Sequence, residues 1–156
     1  MREIIYFDTS ALAKWYLNES RSEDVEAFIQ ERGPVDVSEL TLVEMRCLMA
    51  RRRREGNISR DTELKVFTTF QDEVRQGILV CHSMPEGTAA AALNLFSMVP
   101  EVPLRTLDAF HLAIAREIQA ELIATADRIM IDAAISLGIG VVRFDSARTA
   151  PDKAGN

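Results

Sequence analysis

The sequence predicts an α/β fold organised on a mostly parallel central sheet of four to five strands, and three observations carry that expectation. Short, mostly apolar runs at residues 4–7, 78–82, 122–125 and 141–144 read as strands, and the first is continuous rather than alternating, which marks a strand buried on both faces. Stretches with helical spacing separate them, so consecutive strands are joined by helical crossovers. The first run ends directly before a carboxylate, Asp8, and the run at 122–125 delivers Asp127 just past its end. Open α/β sheets place their sites at such strand ends.

The first strand, Ile4 to Phe7, passes through Asp8, Thr9 and Ser10 into a short helix over 11–17. Ser22 or Ser20 is expected to cap a helix over 23–31 that turns Val25, Phe28 and Ile29 to one side, with Gly33 and Pro34 ending it. Val35, Asp36 and Val37 form a second strand. Residues 38–41 lead into a long helix from 42 to 55, with Glu44 in its first turn; Gly56 and Asn57 stop it. Ser59 opens the next helix, where Leu64, Phe67, Phe70 and Val74 recur at three- and four-residue spacing, completing a helical hairpin.

After the strand at 78–82, Pro85 begins an alanine-rich helix reaching 97. Pro100 and Pro103 impose a loop on 98–104. Thr106 is the expected N-cap of a helix to about 120, which puts Asp108 among the unpaired N–H groups of its first turn. The strand at 122–125 delivers Asp127, a helix follows over 128–137 until Gly138, and 141–144 is the last strand. The expected organisation is one domain over 1–146 and a flexible C-terminal tail over 147–156.

Composition narrows the functional classes. No apolar run approaches the roughly 20 residues that span a bilayer. The strand beginning at residue 4 leaves no room for a signal peptide, so residence in the cytoplasm is expected. Two cysteines and two histidines supply neither a disulfide framework nor a thiolate or histidine-rich zinc site, and both thiols are expected to be buried. A bound metal should therefore be a hard, oxygen-preferring ion. The net charge of −6 argues against a phosphate-rich partner only until four acids are assigned to a metal site; that leaves 20 acids against 18 bases.

Asp8, Glu44, Asp108 and Asp127 are the acids the topology can gather at one sheet edge. Four neighbouring carboxylates repel and raise one another's pKa, so a cation must lie among them. Mg²⁺ or Mn²⁺ accepts such oxygen donors and, in phosphodiester hydrolysis, activates water and stabilises the leaving oxygen. Around these acids, the stretch Phe7-Asp8-Thr9-Ser10-Ala11-Leu12-Ala13-Lys14 resembles the PIN-domain ribonucleases. So do Leu42-Val43-Glu44, Leu104-Arg105-Thr106-Leu107-Asp108-Ala109-Phe110-His111-Leu112-Ala113 and Ala124-Thr125-Ala126-Asp127-Arg128. The likeness spans nearly the whole chain in order and is nearest to the VapC-type toxins of toxin–antitoxin pairs.

The resemblance implies a PIN-like three-layer α/β/α sandwich and a Mg²⁺- or Mn²⁺-dependent endoribonuclease. It makes Asp8 and Asp108 the principal ligands, with Glu44 and Asp127 completing the pocket directly or through water. Thr9 or Ser10 would bond a ligand carboxylate or the scissile phosphate, and Thr125 would orient Asp127. The partners implied are RNA, a VapB-like protein antitoxin and a second copy of the chain, the dimer and antitoxin surfaces drawing on the 42–74 hairpin. Alternatives are a PIN nuclease of RNA processing or quality control, and a non-catalytic metal-binding interaction module. An aspartyl-phosphate phosphatase needs an acid two residues after Asp8, where Ser10 stands.

Of the remaining features, Arg105 beside Asp108 is the candidate RNA contact. Arg51 to Arg54 read either as a solvated helix end or as a phosphate- or partner-contacting patch. His111 is expected to be a satisfied structural histidine rather than a base, and Trp15, Tyr16 and Phe28 to belong to the core.

Overall fold

The computed structural model describes residues 1–145; the tail expected over 147–156 lies outside them. In chain order the elements are β1 (Ile5–Phe7), α1 (Thr9–Tyr16), α2 (Ser22–Arg32), β2 (Val35–Ser38), α3 (Glu39–Arg54), α4 (Arg60–Gln76), β3 (Leu79–His82), α5 (Thr88–Met98), α6 (Thr106–Glu117), β4 (Leu122–Thr125), α7 (Arg128–Ser136) and β5 (Gly140–Arg143). All neighbouring strand pairs are parallel, in the order β3-β2-β1-β4-β5. The chain thus steps outward from β1 to β3, returns past β1, and steps outward again on the other side.

Right-handed crossovers turn that reversal into layers, because helices from the two directions of travel must cover opposite faces. Strand alternation shows the same division. Ile5, Phe7, Val35 and Val37 pack with Met45, Met49 and Phe70 of the α3–α4 hairpin. Tyr6 and Ile123 point the other way, to Leu95, Leu112 and Met130 of α5, α6 and α7. Each large side chain fully withdrawn from water contributes about 1.5–3 kcal/mol before entropy is counted. Two separate apolar cores therefore clamp one sheet, which is the three-layer α/β/α sandwich expected. Among the described residues no helix is long and apolar enough to cross a membrane.

Several local expectations are corrected. Helix α2 is preceded by Arg21 at φ 70°, not capped by serine. The Ser22 hydroxyl is diverted to the preceding turn, donating to the Leu17 carbonyl at 2.8 Å and accepting from the Glu19 N–H at 2.9 Å. Helix α3 starts at Glu39, with Ser38 at its N-cap and the Thr41 hydroxyl accepting from the Ser38 N–H, so Glu44 lies in the second turn. Helix α5 starts after Gly87, at φ 86°, rather than at Pro85. Arg105, not Thr106, is the N-cap of α6, because the Asp108 carboxylate reaches back to accept from the Arg105 N–H at 3.0 Å. Cys47 is exposed and Cys81 half-buried, against the expectation of two core thiols. The face of α3 that buries Thr41, Met45 and Met49 repeats every four residues and leaves position 47 on the far side.

Candidate active site

β1 and β4 lie side by side where the strand order reverses. At such a switch point the loops leaving adjacent strands diverge and open a crevice beyond their carboxyl ends. Here it is a cleft of about 460 Å³ lined by Asp8, Glu44, Asp108 and Asp127, with Thr9, Ser10, Arg105 and His111 between them. All four acids proposed from the sequence thus reach one cavity. Each arrives by a different route: Asp8 from the end of β1, Glu44 from α3, Asp108 from the first turn of α6, and Asp127 from the turn between β4 and α7.

Asp8 is the most constrained. It caps α1 through the Ala11 N–H at 3.1 Å, and the Ser10 hydroxyl donates to the same oxygen, Oδ1, at 2.6 Å. Oδ2 accepts from Thr125 at 2.5 Å. Burial pushes the Asp8 carboxyl above its ordinary range, and the nearby His111, the two hydroxyls and the Ala11 N–H offset only part of that. Thr125 also accepts from the Asp127 N–H at 3.0 Å, while Ser10 accepts from the Ala126 N–H at 2.9 Å. These two side chains tie the end of β4 to the start of α1. The Ser10 hydroxyl is consequently committed to holding Asp8, and neither histidine bonds to it.

The other acids are grouped around bases. Arg105 donates from Nε to Asp108 at 2.8 Å, and its guanidinium also bonds Asp127, so one cation spans both carboxylates and holds its own pKa well above the ordinary arginine value. Asp127 in turn caps α7, accepting from the Ile129 N–H at 2.8 Å. Glu44 accepts from Thr9 at 3.1 Å and pairs with Nε2 of His111. Among the described residues no three acid, histidine or cysteine side chains form a ready-made metal cage. Arg105 meets the charges of Asp108 and Asp127 and His111 bonds Glu44, whereas the direct hydrogen-bond donors to Asp8 are all neutral.

Sequence reasoning missed the support behind His111. That ring is buried, as expected, and its Nδ1 lies 2.6 Å from the Tyr6 hydroxyl, which lies 2.9 Å from Ser38 Oγ. An ionised Glu44 only accepts, so Nε2 carries a proton; in the neutral ring Nδ1 then accepts from Tyr6, and Ser38 donates to the Tyr6 oxygen. The available signals were a phenol in an otherwise apolar strand and the two-residue alternation that sets Tyr6 opposite Ile5 and Phe7. Trp15, Tyr16 and Phe28 pack against the first core, as expected.

Hard oxygen donors facing an open cleft, with Asp8 held by neutral groups, are a donor set suited to Mg²⁺ or Mn²⁺ and unsuited to a thiophilic metal. Fold and site together define an α/β protein with an acid-lined crevice at its strand switch point. A model of the PIN domain matches residues 5–136, and the chain belongs to that family. Solved structures share the fold at low identity. VapC20 of Mycobacterium tuberculosis, a toxin that cleaves the sarcin–ricin loop, superposes with a TM-score of 0.66 at 17% identity, covering 83% of this chain and 94% of that one. The promoter-bound VapBC2 complex of Rickettsia felis gives 0.66 at 9% identity, covering 91% and 99%. The FitAcB structure from Neisseria gonorrhoeae gives 0.63 at 18%, covering 88% and 96%. No curated protein matches significantly.

Proposed function

We propose that this chain is a Mg²⁺- or Mn²⁺-dependent endoribonuclease and the toxin of a toxin–antitoxin pair, acting as a homodimer in the cytoplasm and neutralised by a separate protein antitoxin. The observation that carries the reading is the convergence of Asp8, Glu44, Asp108 and Asp127 on one cleft in a PIN domain. The toxin assignment draws on the VapC and VapBC neighbours. RNA as substrate draws on the cleavage ascribed to VapC20.

In this reading Asp8 and Asp108 are the principal ligands, and Glu44 and Asp127 complete the shell directly or through water. A bound divalent ion supplies an activated water and charge stabilisation for the leaving oxygen. The chain's residues set the stage for it. Ser10 and Thr125 fix both oxygens of Asp8, while Thr9 and His111 fix Glu44. Arg105 neutralises Asp108 and Asp127 in the ion-free protein. The planar fork of Arg105 would also suit the scissile phosphate.

The test is incubation of purified protein with single-stranded and structured RNAs in Mg²⁺ or Mn²⁺, then in chelator. Cleavage should require the metal; cleavage undiminished by chelation would defeat the proposal. Mapping RNA ends after controlled expression, with Asp108→Ala as control, identifies the target. A small DNA-binding protein encoded beside this chain should suppress the cleavage; if it binds without suppressing, a role in RNA processing is favoured over a toxin.

A further inference from the structure

The acid cleft does not end at Glu44. A second groove of about 480 Å³ continues from it between α1 and α3, sharing Thr9, Ser10 and Glu44. Away from the acids the character of its lining reverses, with Lys14, Arg51 and Arg52 along its walls. The arginine run at the end of α3 is therefore not one patch. Arg53, together with Arg46, pairs with the buried Glu63 of α4 and fastens the hairpin. Arg54 is exposed outside the groove. Arg52 turns to Glu19 at 3.0 Å, and Lys14 reaches the other oxygen of the same carboxylate at 3.5 Å and the Ser20 carbonyl at 2.9 Å. The Arg51 guanidinium, exposed, makes no hydrogen bond or ion pair among the described residues.

We propose that this groove is the track for the RNA strand flanking the cleavage point, with Lys14, Arg51 and Arg52 contacting successive phosphates. The proposal rests on the nuclease reading and deepens it. A phosphodiester held at the acids has its neighbouring phosphates within the adjoining groove, and beyond the shared Glu44 three cations stand against the carboxylate of Glu19, a balance that suits a polyanion. Glu19 is the internal stand-in, holding Lys14 and Arg52 in place until phosphate exchanges for it. Among the described residues no aromatic side chain lines the groove, so these walls offer no platform for base stacking. Its contribution is to backbone affinity, salt-dependent and indifferent to sequence. An acidic peptide of a protein partner is the competing occupant, but continuity with the acid cleft favours the nucleic acid.

The experiment uses the full chain carrying Asp8→Asn, binding a fluorescein-labelled single-stranded RNA in Mg²⁺ over a range of KCl. Each lost phosphate contact lowers the slope of log K against log salt by about 0.7. Arg51→Gln, Lys14→Gln and Arg52→Gln should each show that decrement and several-fold weaker binding at low salt. Glu19→Gln should tighten binding, and Arg54→Gln, which removes the same charge outside the groove, should leave the slope unchanged. RNA should also protect the exposed Cys47, on the groove wall, from alkylation. Unchanged slopes with unprotected Cys47 would overturn the track, as would groove variants that weaken binding of a protein antitoxin while leaving RNA affinity intact. Failure of the nuclease reading is seen separately, as wild-type protein that binds the RNA and leaves it uncut in Mg²⁺ and in Mn²⁺.

Discussion

Asp8 and Asp36 are both buried aspartates attached to the central sheet, yet their surroundings shift them in opposite directions. Asp36, on β2, faces two cationic or potentially cationic groups: Arg2 grips both its oxygens at 2.7 Å and His82 Nε2 lies at 2.8 Å, with the Ile5 N–H at 3.2 Å. Burial raises its pKa, but these partners outweigh burial and hold it below the carboxylate range. Asp8 is equally well bonded, yet its direct donors are two hydroxyls and a backbone N–H, and burial wins. Hydrogen bonding satisfies geometry in both places. Only at Asp36 does it also satisfy charge. A buried acid whose positive partner is already present is a structural joint, whereas one left short of positive charge at the lip of a cleft is suited to receiving a cation.

Removing charge without removing shape tests that distinction most severely. Asp8→Asn keeps a side chain able to cap α1, so its unfolding midpoint should stay near wild type. Metal-dependent cleavage should fall on the order of 10³-fold, since ion-mediated charge stabilisation is worth several kcal/mol at about 1.36 kcal/mol per tenfold. A time course of RNA cleavage measures it, and retained activity would remove Asp8 from the mechanism.

Asp36→Ala should show the reverse pattern. Stranding Arg2 and His82 should cost about 3 kcal/mol, the low end for breaking a buried pair because the Arg2 side chain is 40% exposed. Cleavage per folded molecule should be unchanged. Urea unfolding provides the midpoint, and a variant as stable as wild type would contradict the structural assignment. The pH dependence carries the sign. Asp36, with its folded pKa lowered, contributes stability that is present above the ordinary value of 3.8 and is lost as pH falls through the folded value. Asp8, raised, acts oppositely: ion-free protein gains stability as pH falls through its folded pKa, with the gain complete below 3.8. Asp36→Ala should therefore flatten the acid limb of the stability curve, and Asp8→Asn should steepen it.

A smaller effect follows from adding the ion. Saturating Mn²⁺ should stabilise the wild-type chain by about 2.7 kcal/mol at a hundred times its Kd. Asp8→Asn should lose most of that gain and Asp36→Ala none. Thermal melts with and without Mn²⁺ compare them directly, and an equal gain in all three proteins would place the ion elsewhere.

Much of this contrast was legible in the sequence. Short apolar runs marked strands of the parallel sheet, and Asp8 and Asp127 were exposed as site candidates by standing at or just past the ends of two of them. What the sequence hid was pairing across distance. Asp36 is one polar residue inside a short β-branched strand, and nothing local says that Arg2 and His82, 34 and 46 positions away, will meet it. Arg105 was legible as a neighbour of Asp108 but not as a bridge to Asp127, which requires α6 and α7 to converge. The cap of α6 was misplaced for a related reason: serine and threonine compete for caps on propensity, while the Asp108 carboxylate decided the matter from within the helix.

The least disruptive perturbation reaches the cleft from behind. Tyr6→Phe deletes one oxygen, yet it leaves the Nδ1 of His111 without its partner in a buried setting and frees Ser38 as well. A single unsatisfied buried group costs about 1–3 kcal/mol, and Ser38 retains contact with Thr41, so the loss should lie near 1–2 kcal/mol. The tautomer argument makes a finer claim. With the phenol gone, Glu44 still holds the proton on Nε2, but Nδ1 loses the partner that steadies the ring, so Glu44 is left with a less firmly placed donor. The ¹⁵N chemical shift of His111 Nδ1 should then move as its hydrogen bond is lost, with a roughly tenfold drop in Mn²⁺ affinity as expected for a disturbed supporting bond behind a ligand. An unchanged Nδ1 shift and affinity would show that His111 holds Glu44 without support from Tyr6. The Tyr6–His111 chain would then belong with Asp36, among the joints of the fold rather than the furniture of the site.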